Sequence, residues 1–435
     1  VSDLFGTGPA WGAARYPTVD ELDSAAHALA RRRPDVCRLR RVGASRHGRP
    51  LRMLSIGHGS RHALVVAGAH CNEPVGRATL LRLAERLLTD DGPHGGADVT
   101  WHLLLCLDPD GARLNEPMGD TPFALTDPYR NFFRPVAAEQ PELFHAGPRA
   151  GTPLPETRAL TGVIDELRPF VQLTLHGVDI GGSFVQLTRA VPGIAEPFAK
   201  SAAEFQIPVE LGPYDAFYWT EAGPGVYLMP RPGSREGFAG LPDEVVRSTW
   251  YYPHRYGGLT AVVEVPMWAA VDVADDRPHP DPDRALREAA GALHQRVGRV
   301  AALLDRARPF LPGEPDPLLR AARFILRVAP VVAEDWEDIA RRRPHDPTIP
   351  PMTVARVRSL EIAARRAGLR TSAMLSRLLR RCEQRSAVRL GEELDALVGQ
   401  WCEECRTLFR PRWIPIGHQA EHQARTVLAT VERLS

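Results

Sequence analysis

Long apolar runs are scarce in this chain of 435 residues. None approaches the roughly 20 residues that a helix needs to span a bilayer, and the opening VSDLFGTGPAWGAARYP lacks the basic-then-apolar order of a secretory leader. The cytoplasm is therefore the expected location, although a leader removed before Val1 would leave the same opening. Lysine is nearly absent: Lys200 stands alone among 54 basic residues, which leaves 53 arginines. Such a bias fits a GC-rich genome better than a surface selected for phosphate. Cysteine is sparse too. Cys37, Cys71, Cys106, Cys382, Cys402 and Cys405 are too scattered for a disulfide framework, so reduced thiols are expected. Cys402-Glu-Glu-Cys405 has redox or zinc spacing, yet it lies in a helical pattern with no second pair and reads as structural. No internal repeat and no low-complexity tract is present.

What is there suits a globular chain, 44% hydrophobic and 25% charged, long enough to bury a large core and to divide into two domains. The net charge of +1 hides an asymmetry. Residues 285–435 carry 26 Arg against 18 Asp and Glu, or +8, so the part before them is near −7. Docking of one part on the other explains this as well as an anionic partner would.

From Tyr16 to about Pro266, short aliphatic runs alternate with amphipathic segments, the pattern of an α/β domain. TVDELDSAAHALARRRP reads as a first helix capped near Thr18 or Asp20. PLRMLSIG, HALVVAGA, WHLLLCL, FVQLTLHG and LTAVVEVP read as strands, and RATLLRLAERLL as a helix. GSFVQLTRAVPG and EAGPGVYLMPRPGSREGF read as loops that build pocket walls. DDRPHPDPD makes a joint, giving an expected division into a catalytic domain over 1–275, a linker over 276–284 and a helical domain over 285–435. Five or six helices are expected in the last, with starts at Asp281-Pro282, Asp316-Pro317 and Thr353 and a stop at Gly368. Pro330 should end or kink its helix.

His70 and Glu73, three positions apart in GAHCNEPVG, follow an expected buried strand. By itself the pair is a weak signal, since His418 also has Glu three residues on. HQAEH at 418–422 even fits a metalloprotease pattern with His418 and His422 on one helical face, but it sits almost at the end of the sequence and reads as structural. The address of His70 and Glu73 is more telling, because ligands in open α/β sheets gather at the carboxyl ends of strands. His176 closes FVQLTLHG at the same kind of place. Glu264 lies inside LTAVVEVP, where a carboxylate is costly unless something compensates it. Two imidazoles and a carboxylate match the ligand set of a catalytic zinc, leaving Glu264 as a spare base.

At these residues the sequence resembles the zinc carboxypeptidase family, the funnelin-type metallocarboxypeptidases, over about residues 16–268. RYPTVDEL, RVGASRHGRPLRMLSIG, GAHCNEPVG, DPDGARLN, LTDPYRNFF, GVIDELRPFVQLTLHG and TAVVEVP occur in the family's order. The resemblance implies a mostly parallel mixed sheet with helices on both faces, to which this chain adds an all-α C-terminal domain. It implies one zinc ion held by His70, Glu73 and His176, with Glu264 as general base. Arg113 would polarise the scissile carbonyl, Arg130 would grip a terminal carboxylate, and Tyr129, Asn131 and Tyr252 would contact substrate. Tyr251 and Tyr256 compete with Tyr252 for the role of a mobile tyrosine. The family's Asn before the gripping arginine is Tyr129 here, which removes an amide that would share the carboxylate.

The implied activity is hydrolysis of a peptide or amide bond beside a free carboxylate. An N-acyl amino acid or small-amide hydrolase uses the same chemistry, and a non-catalytic peptide-binding module is the alternative of another class. A peptide or acyl amino acid is the expected partner, with no membrane and no nucleic acid, and the C-terminal helices offer a surface for self-association.

Overall fold

The segment Arg61–Ala67 (β3) explains the centre of the fold. Ala63, Val65 and Ala67 face one side and Leu64 and Val66 the other, all of them buried. A strand apolar on both sides must be covered on both. The computed structural model, which describes residues 15–88, 98–116, 118, 123–143, 152–231, 248–311 and 316–435, places β3 inside a ten-stranded mixed sheet. The other strands are β1 (Cys37–Ala44), β2 (Pro50–Ile56), β4 (Val99–Leu104), β5 (Val171–Gly181), β6 (Phe184–Leu187), β7 (Thr220–Gly223), β8 (Val226–Leu228), β9 (Leu259–Ala269) and β10 (Arg412–Trp413). Their order is β1-β2-β4-β3-β5-β9-β6-β8-β7, with β10 beside β9. The core run β4-β3-β5-β9 is parallel, while β1-β2-β4 and β6-β9 are antiparallel. All five strands expected from the sequence are present. The two segments read as loops also hold strands: β6 lies within GSFVQLTRAVPG, and β7 and β8 within the second segment, whose residues 232–238 lie outside the described ones.

Helices cover both faces. On one, α5 (Pro155–Leu167) sets Leu160, Val163 and Ile164 against Met53, Leu64, Val66 and Leu104. The other is packed by α1 (Val19–Arg32), α2 (Val75–Leu88), α6 (Ala195–Glu204) and the last helix of the chain, α11 (Ile416–Glu432). Thr18 caps α1 in a reciprocal box with Glu21. Two short helices, α3 (Pro109–Leu114) and α4 (Asp127–Arg130), sit in loops.

After residue 281 the chain forms α7 (Pro282–Ala307), α8 (Pro317–Arg342), α9 (Val354–Leu379) and α10 (Arg385–Phe409), then β10 and α11. The start signals hold: Asp281, Asp316 and Thr353 each accept a backbone N–H at a helix N-terminus. Two other expectations fail. α9 runs through Gly368, where a side chain would meet Trp401 and Arg296 at 3.0 Å, so the glycine serves close helix packing rather than termination. α8 continues past Pro330. The burial of Ala329, Ala333 and Trp336 among residues of α7 and α9 outweighs the lost backbone bond.

The excess arginine of the C-terminal region faces the α/β part. Arg358 pairs with Asp272, Arg320 with Glu139, Arg370 with Asp179 and Arg425 with Glu204. Arg377 donates to the carbonyls of Leu114, Asn131 and Phe132. Internal docking thus accounts for much of the charge asymmetry. Among the described residues no helix is long and apolar enough to cross a membrane.

Candidate metal centre

At the end of β3 the chain must turn sharply under β4. Gly68 makes the turn at φ +65°, where a side chain would come within 2.6 Å of the Cys106 sulfur. The Glu73 amide then donates to the His70 carbonyl over 3.1 Å, closing a turn that presents both side chains together before α2 begins. The other two groups come from the ladder between β5 and β9, in which His176 and Glu264 are direct parallel partners. Register therefore puts both side chains on one face at the carboxyl ends of the central strands.

The four residues meet. His70 Nδ1 lies 3.0 Å from Glu73 Oε1 and 3.0 Å from His176 Nδ1, and His176 Nδ1 lies 3.0 Å from Glu73 Oε2 and 3.8 Å from Glu264 Oε1. On its far side His176 Nε2 faces Glu142 Oε2 at 3.1 Å and the Thr174 hydroxyl oxygen at 3.0 Å. That hydroxyl donates to Glu142 Oε1 over 2.5 Å, so it accepts from the imidazole. With a cation bound among these residues, the proton of His176 would therefore sit on Nε2 and its Nδ1 lone pair would face the ion. Sequence reasoning passed over Glu142, whose buried carboxylate carries no local signal of this role.

Burial alone would depress the pKa of His176, but Glu142 and Glu73 outweigh it and hold the pKa well above the ordinary range. Burial, with the charge of Arg134, lowers that of His70. Burial would raise Glu73, yet the two histidines pull it well below the usual carboxylate range. Glu264 goes the other way: burial first, then the charge of Glu73, push its carboxyl well up.

These residues fit a zinc ion. His70, Glu73 and His176 each offer one atom, all within 4.8 Å of one another. Tetrahedral zinc with bonds of about 2.0–2.1 Å sets its ligand atoms roughly 3.3 Å apart, close to the 3.0 Å contacts here. Glu264 Oε2 is buried without a hydrogen-bond partner among the described residues, a polar atom awaiting a proton donor or cation.

A cleft of about 270 Å³ opens at this cluster, lined also by Arg134, Asp215 and Trp250 and, from the C-terminal helices, by Phe324, Arg366 and Arg370. Arg134 Nη1 donates to Glu73 Oε1 over 2.8 Å, and Nη2 lies 3.2 Å from His70.

The remaining sequence candidates lie elsewhere. Asp108 caps α3, which carries Arg113 to an ion pair with Asp20 on α1. Asp127-Pro128 opens α4, whose turn leaves the Arg130 side chain 73% exposed and paired with Asp127. Tyr129 is buried, with its hydroxyl on Asp179 at 3.2 Å, and the Asn131 carbonyl accepts from Arg377. Tyr252 and Tyr256 donate to Asp165, and Tyr251 to the Pro230 carbonyl. None of these lines the cleft. Arg134, which does line it, lies only four positions beyond Arg130, past the end of α4.

HQAEH proves structural. His422 is buried between Ser201 and Ser183, at 3.0 and 2.9 Å, Glu421 pairs with Arg82, Arg86 and Arg425, and His418 rests on Phe205. Cys402 and Cys405 are buried free thiols.

Two imidazoles, a carboxylate and a neighbouring second carboxylate thus converge at the strand ends of an α/β sheet, a donor set that suits a zinc ion. Residues 22–180 match the zinc carboxypeptidase family, a stretch that holds His70, Glu73 and His176. The family resemblance read from the sequence is thereby borne out over that stretch. Similar solved structures include a metallo-carboxypeptidase from Burkholderia cenocepacia (18% identity, TM-score 0.37, covering 56% of this chain and 59% of that one). Carboxypeptidase A from Helicoverpa armigera is another (17% identity, TM-score 0.37, covering 58% and 65%), so the match spans under two thirds of both. Bovine thrombin-activatable fibrinolysis inhibitor is a third (15% identity, TM-score 0.35, covering 57% and 86%). No curated protein matches the chain.

Proposed function

We propose that the protein is a zinc-dependent hydrolase of the metallocarboxypeptidase type, cleaving a peptide or amide bond next to a free carboxylate. The observation that carries this reading is the convergence of His70, Glu73 and His176, with Glu264 set beside His176 by strand register. A single zinc ion held by the first three would lower the pKa of a coordinated water toward about 7 and polarise the scissile carbonyl. Glu264 takes the proton of the attacking water and later delivers it to the departing amine, a role typically worth 10²–10⁴-fold. Arg134, rather than Arg113, stands where a guanidinium can hold the carbonyl oxygen as charge develops. The catalytic part expected over 1–275 is completed by β10 and α11, which join and cover its sheet, α7 starts inside the expected 276–284 linker, and α8 and α9 wall the cleft through Phe324, Arg366 and Arg370.

A second reading, hydrolysis of an N-acyl amino acid or another small amide, is favoured by that wall. Phe324, Arg366 and Arg370 confine the cleft to about 270 Å³, room for a short substrate rather than a long chain. Zinc content combined with a mass-spectrometric screen of peptides and N-acyl amino acids tests both. His70→Ala and His176→Ala should lose zinc, while Glu264→Gln should keep zinc and fold but lose turnover. Full activity in Glu264→Gln would remove the mechanism, and a zinc-free, inactive protein would leave a binding module.

A further inference from the structure

Beside the metal cluster lies a second cavity, of about 230 Å³, bounded chiefly by α8 and α9. Its walls include Leu293, Ile325, Val328, Ala329 and Trp336, mostly apolar side chains. Asp215, Phe324, Arg366 and Arg370 line both this cavity and the cleft at His70, so the two adjoin and the arginines stand at their junction. One helical turn separates Arg366 from Arg370 on α9, which points both the same way.

The two guanidinium groups are held differently. Arg370 donates from Nη2 to Asp179 Oδ2 over 3.1 Å and lies 5.1 Å over the Phe132 ring, which fixes its plane, while its buried Nε has no partner. Arg366 makes no hydrogen bond or ion pair among the described residues. Burial works against its charge, and the field of Asp179 and Asp215 keeps it a cation. A planar donor fork without a partner, next to a fixed cation and an apolar pocket, is the arrangement that binds a carboxylate attached to a bulky apolar group.

We propose that Arg366 and Arg370 form a carboxylate-binding subsite supplied by the C-terminal helices, and that the adjoining cavity takes the large apolar side chain borne by the same substrate residue. This rests on the hydrolase reading for its scissile bond and deepens it: the substrate is a peptide or N-acyl amino acid ending in an aromatic or large aliphatic residue. The subsite replaces the role that the LTDPYRNFF segment does not fill, since Arg130 points to solvent and Tyr129 is committed to Asp179.

Calorimetric titration of the zinc-loaded protein with 3-phenylpropanoate, 3-phenylpropan-1-ol and propanoate tests the subsite without turnover. The acid should bind at least tenfold more tightly than the alcohol and than propanoate. Arg366→Gln should remove the preference for acid over alcohol. Ala363→Phe, which fills the cavity, should remove the advantage of the phenyl group and leave propanoate binding unchanged. Equal binding of acid and alcohol by the unaltered protein overturns the proposal. So does an acid preference that survives Arg366→Gln, which would put the carboxylate on the metal. Turnover of substrates with no free carboxylate would sink the subsite and leave the hydrolase. Arg366-dependent binding of the acid with no turnover of any amide would do the reverse.

Discussion

Glu142 fixes the one His176 tautomer whose Nδ1 can face a cation, and its negative charge makes that nitrogen a better donor. Glu142→Gln keeps a hydrogen-bond acceptor but removes the charge. Zinc affinity, measured by competition with a chromophoric chelator, should fall roughly 10–100-fold while the far-ultraviolet circular dichroism stays unchanged; an unaltered affinity would mean that Thr174 alone orients the ring. Residues of this kind mark the boundary of what the sequence reveals. His70, Glu73, His176 and Glu264 were legible because each sits at a fixed place relative to a strand of period two, and strand ends in such sheets are where ligands gather. Glu142 and Arg134 reach the site from irregular chain, where no periodicity links sequence position to direction. Arg130 was expected at the site from the resemblance of its motif to the family's, and α4, four residues long, is too short for the direction of its side chains to be read from sequence.

Elements were legible where a local pattern fixes them and misread where a distant partner does. The strands of the parallel core and the helix caps follow from alternation and capping chemistry. Gly368 does not: its meaning depends on Trp401, 33 residues on in α10, and on Arg296 in α7. Gly368→Leu introduces a good helix former, so propensity favours it, yet the new side chain has no room between those helices. Overpacking should cost about 1–3 kcal/mol, read as a lower urea midpoint; a stabilised variant would mean that α9 and α10 can move apart freely. Pro330 gives the opposite expectation. The proline leaves the Leu326 carbonyl without its helical donor, so Pro330→Ala should stabilise α8. The gain should be about 1–2 kcal/mol once the added freedom of the unfolded chain is counted, and a lower melting temperature would show that the proline packs better than alanine.

Across the whole molecule, α11 ties the end of the chain to the strands that carry the site. Gln423 donates to the carbonyls of His176 and Val263, both over 2.8 Å, and accepts from Thr79 over 2.6 Å. Ser183 donates to the Glu264 carbonyl, so it accepts from His422 Nε2, while Ser201 serves Nδ1. The ring proton of neutral His422 thus sits on Nε2, with the Ser201 hydroxyl beside Nδ1. Burial first, then the charge of Arg425, drives its pKa down to about 3. In the unfolded chain the same imidazole titrates near 6.5, so between these values the unfolded state holds one proton more than the folded state. Stability therefore rises with pH across that window and is lost as pH falls through it. By pH 5 the loss from this one residue should be about 2 kcal/mol. Glu210 acts in the opposite sense, because burial lifts its pKa to about 7 and the folded state holds the extra proton between pH 4.5 and 7. The clean measurement is a difference. His422→Gln should be less stable than the unaltered protein at pH 7, and the gap in urea midpoint should close as pH falls to 5, since glutamine has no proton to gain. A gap that stays constant over that range would mean that His422 charges freely in the folded state and that α11 does not seal this face of the sheet.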